Sequence, residues 1–419
     1  MDHGSMPWLG LRTLGLSVAL CLVLADCGRE ATAPSALEPR PTAPSAPPTP
    51  TNTDASRSFL HVQQANVIVS YEIEADSGQL HPPVTQNLGH AQQLTGDPEG
   101  RRVYAAFPPN SSGEAGIAVY APDREGMLNL LSQVSHQVGY SCFGPHPWVL
   151  LQASSTRLHV VSYDVTCSGH THYLYQTHEI SDDGQLGAGA RSGFYFPVDD
   201  GWYPMVVDVG SNLLFRGSSD PYWYAPQGNS ALASYSVSEP DGRLAVTGAS
   251  NLCIASTVTR ATPLVAAGGV LLASVRTDRG EETVCSWEGC RLAPRSNLGL
   301  RSDTAAAVTP AGGGPPLVAM STSVQKTGRQ EQFELRLFAS DGHGGFEPLD
   351  AATTPALVTA LAFHPSGRFL FASDRAEGLS VYAIASGKLS LVQSVDNSGG
   401  RMAVTVLAPA AATAPAPSS

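Results

Sequence analysis

Two stretches, Val67-Ile-Val-Ser-Tyr-Glu-Ile-Glu-Ala-Asp-Ser-Gly-Gln-Leu80 and Gly378-Leu-Ser-Val-Tyr-Ala-Ile-Ala-Ser-Gly-Lys-Leu389, share one grammar. A short apolar run carries a bulky anchor, a turn with Gly or charge follows, and a Leu or Phe closes the unit. Five more copies lie between them, at 116–128, 174–186, 231–244, 282–292 and 335–346. The anchors are Tyr71, Tyr120, His178, Tyr235, Trp287, Phe338 and Tyr382, spaced by about 44 to 58 residues. A period in that range marks a radially repeated β-sheet architecture, in which each unit is one blade of a propeller.

The last repeat shows the content of a blade. Four apolar-alternating runs, 358–363, 368–373, 379–384 and 388–392, are separated by turns holding Pro365 with Gly367, Glu377 with Gly378, and Ser386 with Gly387. These are strands A to D, counted outward from a central channel. The same reading places strand A of blade 3 at 148–153, of blade 4 at 205–208, of blade 5 at 264–267 and of blade 6 at 304–309, and makes Asp97-Pro-Glu-Gly100 the A to B turn of blade 2. The first repeat has strands B, C and D but only a tether before them, whereas Arg401 to Leu407 is a strand left over once blade 7 is full. The expected fold is therefore all-β: a seven-bladed propeller of four-stranded antiparallel blades, closed by 401–407 lying beside the first strands of blade 1. Closure of this kind removes open inner edges.

The flanks read differently. Arg12 precedes an apolar run from Leu14 to Ala25, too short to span a bilayer but suited to a secretory signal. Leu24-Ala25-Asp26-Cys27 resembles the lipobox of bacterial lipoproteins, with Asp26 where the pattern has a small residue. That resemblance implies cleavage after residue 26 and a lipid on Cys27; cleavage without lipidation is the alternative, leaving a periplasmic or secreted protein. Residues 27–56 are rich in Pro, Ala, Ser and Thr and should form an extended tether, and 408–419 a second disordered tail. The propeller proper is expected over 57–407.

Net charge is −12, and no Lys/Arg cluster is present that would neutralise a row of phosphates, which argues against a nucleic-acid partner. Of the seven cysteines, Cys285 and Cys290 flank a tight turn and Cys142 and Cys167 fall in loops of one face, so these four are disulfide candidates, with Cys253 the odd thiol.

The segment 357–395 resembles the repeat of the bacterial lactonase family, the seven-bladed propellers that include 6-phosphogluconolactonase. It carries the family's Pro-x-Gly-Arg turn at Pro365, Gly367 and Arg368 and its Asp-Arg loop at Asp374 and Arg375. The resemblance implies the fold, and for activity it implies polar groups such as His, Glu and Arg aimed into the channel from the starts of the inner strands. Those starts here are His90, Tyr203, Thr262, Asp303 and Leu357, and the residues following them are mostly Ala, Val or Leu. Opening a lactone needs a base or positioned water and an oxyanion stabiliser, and neither is recognisable as a set.

Ligands of a propeller usually meet the face formed by B to C and D to A loops. Asp199, Trp202 and Tyr203, with Asp220, Tyr222 and Trp223, place aromatic rings beside carboxylates in the connections of blade 4. That chemistry holds sugars or peptides, though the same rings also serve to pack a long loop. Arg276, Asp278 and Arg279, Lys326 and Arg329, and Asp374, Arg375 and Glu377 give a charged rim. His170 and His172 share a strand face near Cys167, but no further ligand completes a metal set, and no cofactor motif is present; Ala311-Gly-Gly-Gly314 is a turn rather than a phosphate loop because no helix follows it. The function expected is a monomeric, lipid-anchored binding or scaffold module of the cell envelope, holding a protein, peptide or glycan. The alternative is a divergent lactonase acting on a sugar lactone.

Overall fold

The computed structural model describes residues 56–108, 114–137, 149–154, 156–165, 171–196, 205–208, 213–217, 231–237, 244–310, 314–325, 331–376, 378–396 and 399–407. The chain divides into residues 1–50 and 51–419, and all described residues belong to the second unit. They contain strands and turns and no helix.

Blade 1 supplies β1 (Ser58–Gln64), β2 (Val67–Ile73) and β3 (Val84–Gln86). Blade 2 has β4 (Gln93–Gly96), β5 (Val103–Phe107), β6 (Glu114–Pro122) and β7 (Leu128–Gln137). Blade 3 has β8 (Val149–Ala153), β9 (Arg157–Val165), β10 (Thr171–Glu179) and β11 (Ala190–Phe196), and blade 4 has β12 (Met205–Asp208), β13 (Leu213–Gly217), β14 (Leu232–Val237) and β15 (Leu244–Ser250). Blade 5 opens with a two-residue strand, β16 (Leu252–Cys253), hairpinned onto β17 (Ser256–Ala267), and continues through β18 (Val270–Thr277), β19 (Glu282–Glu288) and β20 (Ala293–Asn297). Blade 6 has β21 (Ser302–Val308), β22 (Leu317–Gln325), β23 (Glu331–Ser340) and β24 (Phe346–Thr354). Blade 7 has β25 (Val358–Phe363), β26 (Phe369–Asp374), β27 (Leu379–Ala385) and β28 (Lys388–Val395), after which β29 (Arg401–Val406) remains.

That last strand closes the ring as expected. It pairs antiparallel with β1, Ser58 opposite Val406 and Gln63 opposite Arg401, so blade 1 reads β29-β1-β2-β3. Seven buried clusters fill the seven junctions between neighbouring blades. The closing strand serves two of them: Met402 and Val404 pack with Phe369 and Phe371 of blade 7, while Ala403 joins Val103, Ala105 and Tyr120 of blade 2. Apolar faces thus meet blade to blade, and that burial is the main driving force for the ring.

All seven anchors are buried, each on strand C of its blade. Each also marks a one-residue slip between strands C and D. Val119 pairs with Ser132 but Tyr120 with Leu130, leaving Leu131 extra, and the same slip occurs at Tyr235, Trp287, Phe338 and Tyr382. In blade 1 the ladder steps from Ser70 opposite Val84 to Ile73 opposite Leu80, and in blade 3 from Thr177 opposite Ala190 to Ile180 opposite Leu186, so the slip spans Tyr71 and His178. A bulge bends and twists the strand that carries it. Here it tips the extra residue of strand D toward the next blade, and Leu131, Leu349 and Val392 pack into the clusters of the following junctions.

The Gly and the Leu of the repeat have matching roles. Gly78 and Gly126 have φ of 77° and 82°, and a Cβ there would lie within 2.5–2.6 Å of the rings of Phe369 and Phe59 on the preceding blade. Only Gly fits both the left-handed backbone and that approach. Just beyond, the backbone N–H of Leu80, Leu128, Leu186 and Leu389 donates to Gln393, Gln86, Ser132 and Asp350, each on strand D of the preceding blade. The repeated sequence pattern is therefore a pattern of contacts between blades.

Two expectations are corrected. Strand A of blade 5 is longer than 264–267, because β17 runs from Ser256 and crosses two irregularities, one at Pro263. Proline lacks the N–H a ladder needs, and the strand continues past it by bulging. The second concerns Cys253, which forms a disulfide with Cys285, their Cα atoms 6.0 Å apart, so Cys253 is not the odd thiol. The connection from blade 4 folds back along blade 5, where the Trp287 indole N–H donates to the Leu252 carbonyl at 2.9 Å, and this turns Cys253 toward strand C. Cys290 lies in the same core cluster, and Cys142 and Cys167 are outside the described residues.

Candidate functional site

The face formed by B to C turns and by the starts of the inner strands is the candidate. Asp199, Trp202, Tyr203, Asp220, Tyr222 and Trp223 lie outside the described residues, in the segments linking β11 to β12 and β13 to β14. The same holds for Cys27, Lys326, Arg329, Glu377, Cys167 and His170.

Asp374 and Arg375 are described, and they do not converge on one point. Asp374 ends β26 nearly buried, and its Oδ1 accepts the backbone N–H groups of Ala376 and Gly378, each at 2.9 Å. Its own N–H donates to the Gly378 carbonyl at 2.9 Å. This carboxylate closes the B to C turn of blade 7 in the way short acidic side chains commonly do. Arg375 is exposed, and its backbone N–H donates to the Leu357 carbonyl at 2.8 Å. In blade 5 the Asp278 backbone N–H donates to the Thr257 carbonyl at 2.8 Å and the Arg279 guanidinium reaches the Ala255 carbonyl at 3.5 Å, which fixes the β16–β17 hairpin beside the loop. Arg276 is exposed there.

The inner strands carry few polar side chains in their middle reaches. Ala305, Ala306, Ala307 and Val308 on β21, Ala360, Leu361 and Ala362 on β25, and Leu264 and Val265 on β17 are only partly buried.

Polar groups gather instead around the first turn of blade 1. Ala65 adopts φ 46° there, and its carbonyl accepts from Gln63 Nε2 at 2.7 Å and from His90 Nδ1 at 2.7 Å. A carbonyl only accepts, so Nδ1 carries the proton and the neutral ring has its acceptor at Nε2. Opposite Gln63 stands Arg401, half-buried, its pKa lowered by desolvation. Next to it the Gly400 N–H donates to Ser373 Oγ on blade 7 at 2.7 Å. Amide, imidazole, guanidinium and hydroxyl groups of blades 7, 1 and 2 are thus fixed to one stretch of rim. They suit a polar or anionic ligand, and the oriented His90 ring adds an acceptor at Nε2. His90 is legible in the sequence as an inner-strand start and Arg401 as the start of the strand that closes blade 1, but their meeting on one stretch of rim is not. The Gly399-Gly400-Arg401 turn before an orphan strand was the available signal.

His178 is a buried core residue whose Nδ1 bonds the Gly187 carbonyl at 3.0 Å. Among the described residues no three His, Cys, Asp or Glu side chains come together as a metal set.

No protein-family model and no curated protein matches the sequence. Among solved structures, a periplasmic gluconolactonase of Pseudomonas aeruginosa is similar over 84% of this chain and 100% of its own, at 17% identity and a TM-score of 0.54. A functionally unknown protein of Desulfotomaculum acetoxidans is similar over 83% of this chain and 98% of its own, at 13% identity and a TM-score of 0.51. Both likenesses concern the fold. The chain is a seven-bladed β-propeller that resembles a periplasmic gluconolactonase in architecture and diverges widely from it in sequence.

Proposed function

We propose that this protein is an exported propeller, anchored through a lipid on Cys27, that acts as a monomeric binding or scaffold module of the cell envelope. The observation that carries the reading is the chemistry of the described rim: its nearly buried acid, Asp374, is committed to closing a turn, and the inner strands present mainly Ala, Val and Leu. A rigid ring with such a rim offers loops for recognition and leaves little to drive a reaction. The segment from Arg12 to Cys27 and the tether behind it support export and anchoring. The ligand class is a protein, peptide or glycan met by the aromatic residues Trp202, Tyr203, Tyr222 and Trp223 with Asp199 and Asp220.

The test has two parts. Full-length protein expressed in a bacterium and fed an alkyne fatty acid should take up label, and Cys27→Ser should abolish it; a labelled Cys27→Ser protein, or an unlabelled wild type, refutes anchoring at that residue. Pull-down from envelope extracts with wild type and with Trp202→Ala and Trp223→Ala should show a ligand lost in the variants. Unchanged capture by both refutes the aromatic patch.

One observation favours a second reading, a divergent lactonase of the kind named in the similar structure. His90 is held in the tautomer a general base requires, on the same rim as Arg401. Turnover of sugar lactones that disappears in His90→Gln and survives in Trp223→Ala would replace the binding reading.

A further inference from the structure

The ends of the propeller are sewn together by imidazoles. His61, in the middle of β1, is fully buried; its Nδ1 lies 2.8 Å from Ser70 Oγ on β2 and its Nε2 2.9 Å from Thr405 Oγ1 on β29. His364, in the A to B turn of blade 7, has Nδ1 2.7 Å from Ser366 Oγ and Nε2 3.0 Å from Ser58 Oγ, at the first residue of β1. These two rings bridge positions 344 and 306 residues apart, both across the seam where the ring closes.

We propose that His61 and His364 form an acid-sensitive latch: a proton on either ring favours separation of β1 from β29 and from blade 7, opening the propeller at its seam while blade 5, which carries no histidine, stays folded.

The physical reason is burial of charge and not loss of hydrogen bonds. A hydroxyl accepts from an imidazolium as well as from a neutral ring, so both bridges survive protonation. Among the described residues the bonds of both rings go to hydroxyls and none to a carboxylate. On the elements packed around His61 the titratable groups include Arg401 on β29, Tyr71 and Glu72 on β2, and Asp97, Arg101, Arg102, Tyr104 and Tyr120 of blade 2, where Asp97 is paired with Arg101 at 3.7 Å. Glu72 is engaged with Arg57 at 3.5 Å, and burial alone pushes the His61 pKa down to about 3. Around His364 stand Arg368 on its own turn and Arg57, Glu72 and Asp76 of blade 1. Burial first, and then the Arg368 charge, lowers the His364 pKa to about 4.

Exposed in the open state, each ring titrates near 6.5. Opening therefore takes up protons: the latch is at full strength above about pH 6.5 and weakens as pH falls from there toward 3–4. By linkage, each exposed ring raises the open population about a hundredfold between pH 7.5 and pH 4.5. His159 provides an internal comparison. Its pKa is also lowered to about 4, by burial and then by Arg157, but its partner, the Tyr175 hydroxyl at 2.7 Å, lies within blade 3.

Hydrogen exchange of the full-length protein, read by mass spectrometry at pH 7.5, 6.0 and 4.5 and corrected for intrinsic rates, tests the latch. Protection of 58–64 and 401–406 should fall about a hundredfold or more by pH 4.5 while β18 and β19 keep theirs. His61→Gln with His364→Gln should flatten that profile. If the double variant fails to fold, His364→Gln alone, at the less buried site, should reduce the slope. Seam protection that is independent of pH in the wild type, loss of protection in all blades together, or full pH dependence in the variants each overturns the proposal.

Discussion

Two junctions of the ring solve the same packing problem by different means. Between blades 4 and 5 the chain is continuous, and the connecting segment is stapled by Cys253–Cys285 and held by the Trp287 bond to Leu252. Between blades 7 and 1 the chain has run its whole course, and the seam is closed by backbone pairing of β29 with β1, by Met402 and Val404 packing against Phe369 and Phe371, and by two histidines. Bringing together residues about 350 apart rather than about 50 apart adds only about 2 kcal/mol of loop-closure cost. What separates the junctions is therefore cooperativity. A local staple stabilises one junction, whereas the closing strand completes two junctions at once.

The sharpest way to break the comparison is to remove residues 400–419. Blade 1 then loses its inner strand and two core clusters lose residues, so the sharp thermal transition should disappear in calorimetry. A truncated protein melting as sharply as the full chain would show the seam to be dispensable. Next, Phe369→Ala empties the position against which Gly78 is fitted and should lower stability by about 3–5 kcal/mol in urea titration. The corresponding change at the stapled junction, Cys253→Ser, should cost about 2–4 kcal/mol under non-reducing conditions and nothing further once reductant is added. An equal loss in reductant would mean that the side chain matters through packing alone. The smallest effect is expected at the rim: Asp374→Ala orphans two backbone N–H groups in a turn and should cost about 1–2 kcal/mol, leaving the seam's exchange protection unchanged.

Much of the architecture was legible in the residues. The four runs of blade 7 match β25 to β28 to within a few residues because turn chemistry and alternation are local. The orphan strand at 401 was legible for a different reason: strands must be counted, and one blade was short by one. Blade 5 resisted, since a Pro263 that ends a simple alternating pattern is accommodated by a bulge that only the neighbouring strand reveals. For the site, Asp374 was found in sequence but its carboxylate is occupied by backbone N–H groups. Arg401 was legible as the start of the closing strand, but which groups it meets on the rim was not, because they come from the other end of the chain.

By itself the sequence determined the number of blades, the strands within each and the need for the two ends to meet, because period, turn residues and strand count are properties of the chain alone. Only the tertiary structure decided that each anchor marks a bulge, that Cys253 pairs with Cys285, and that Gln63, His90, Ser373 and Arg401 share one stretch of rim. Those outcomes depend on how neighbouring blades press on one another. Contacts between blades join residues tens to hundreds of positions apart, and no local pattern encodes which of them will touch.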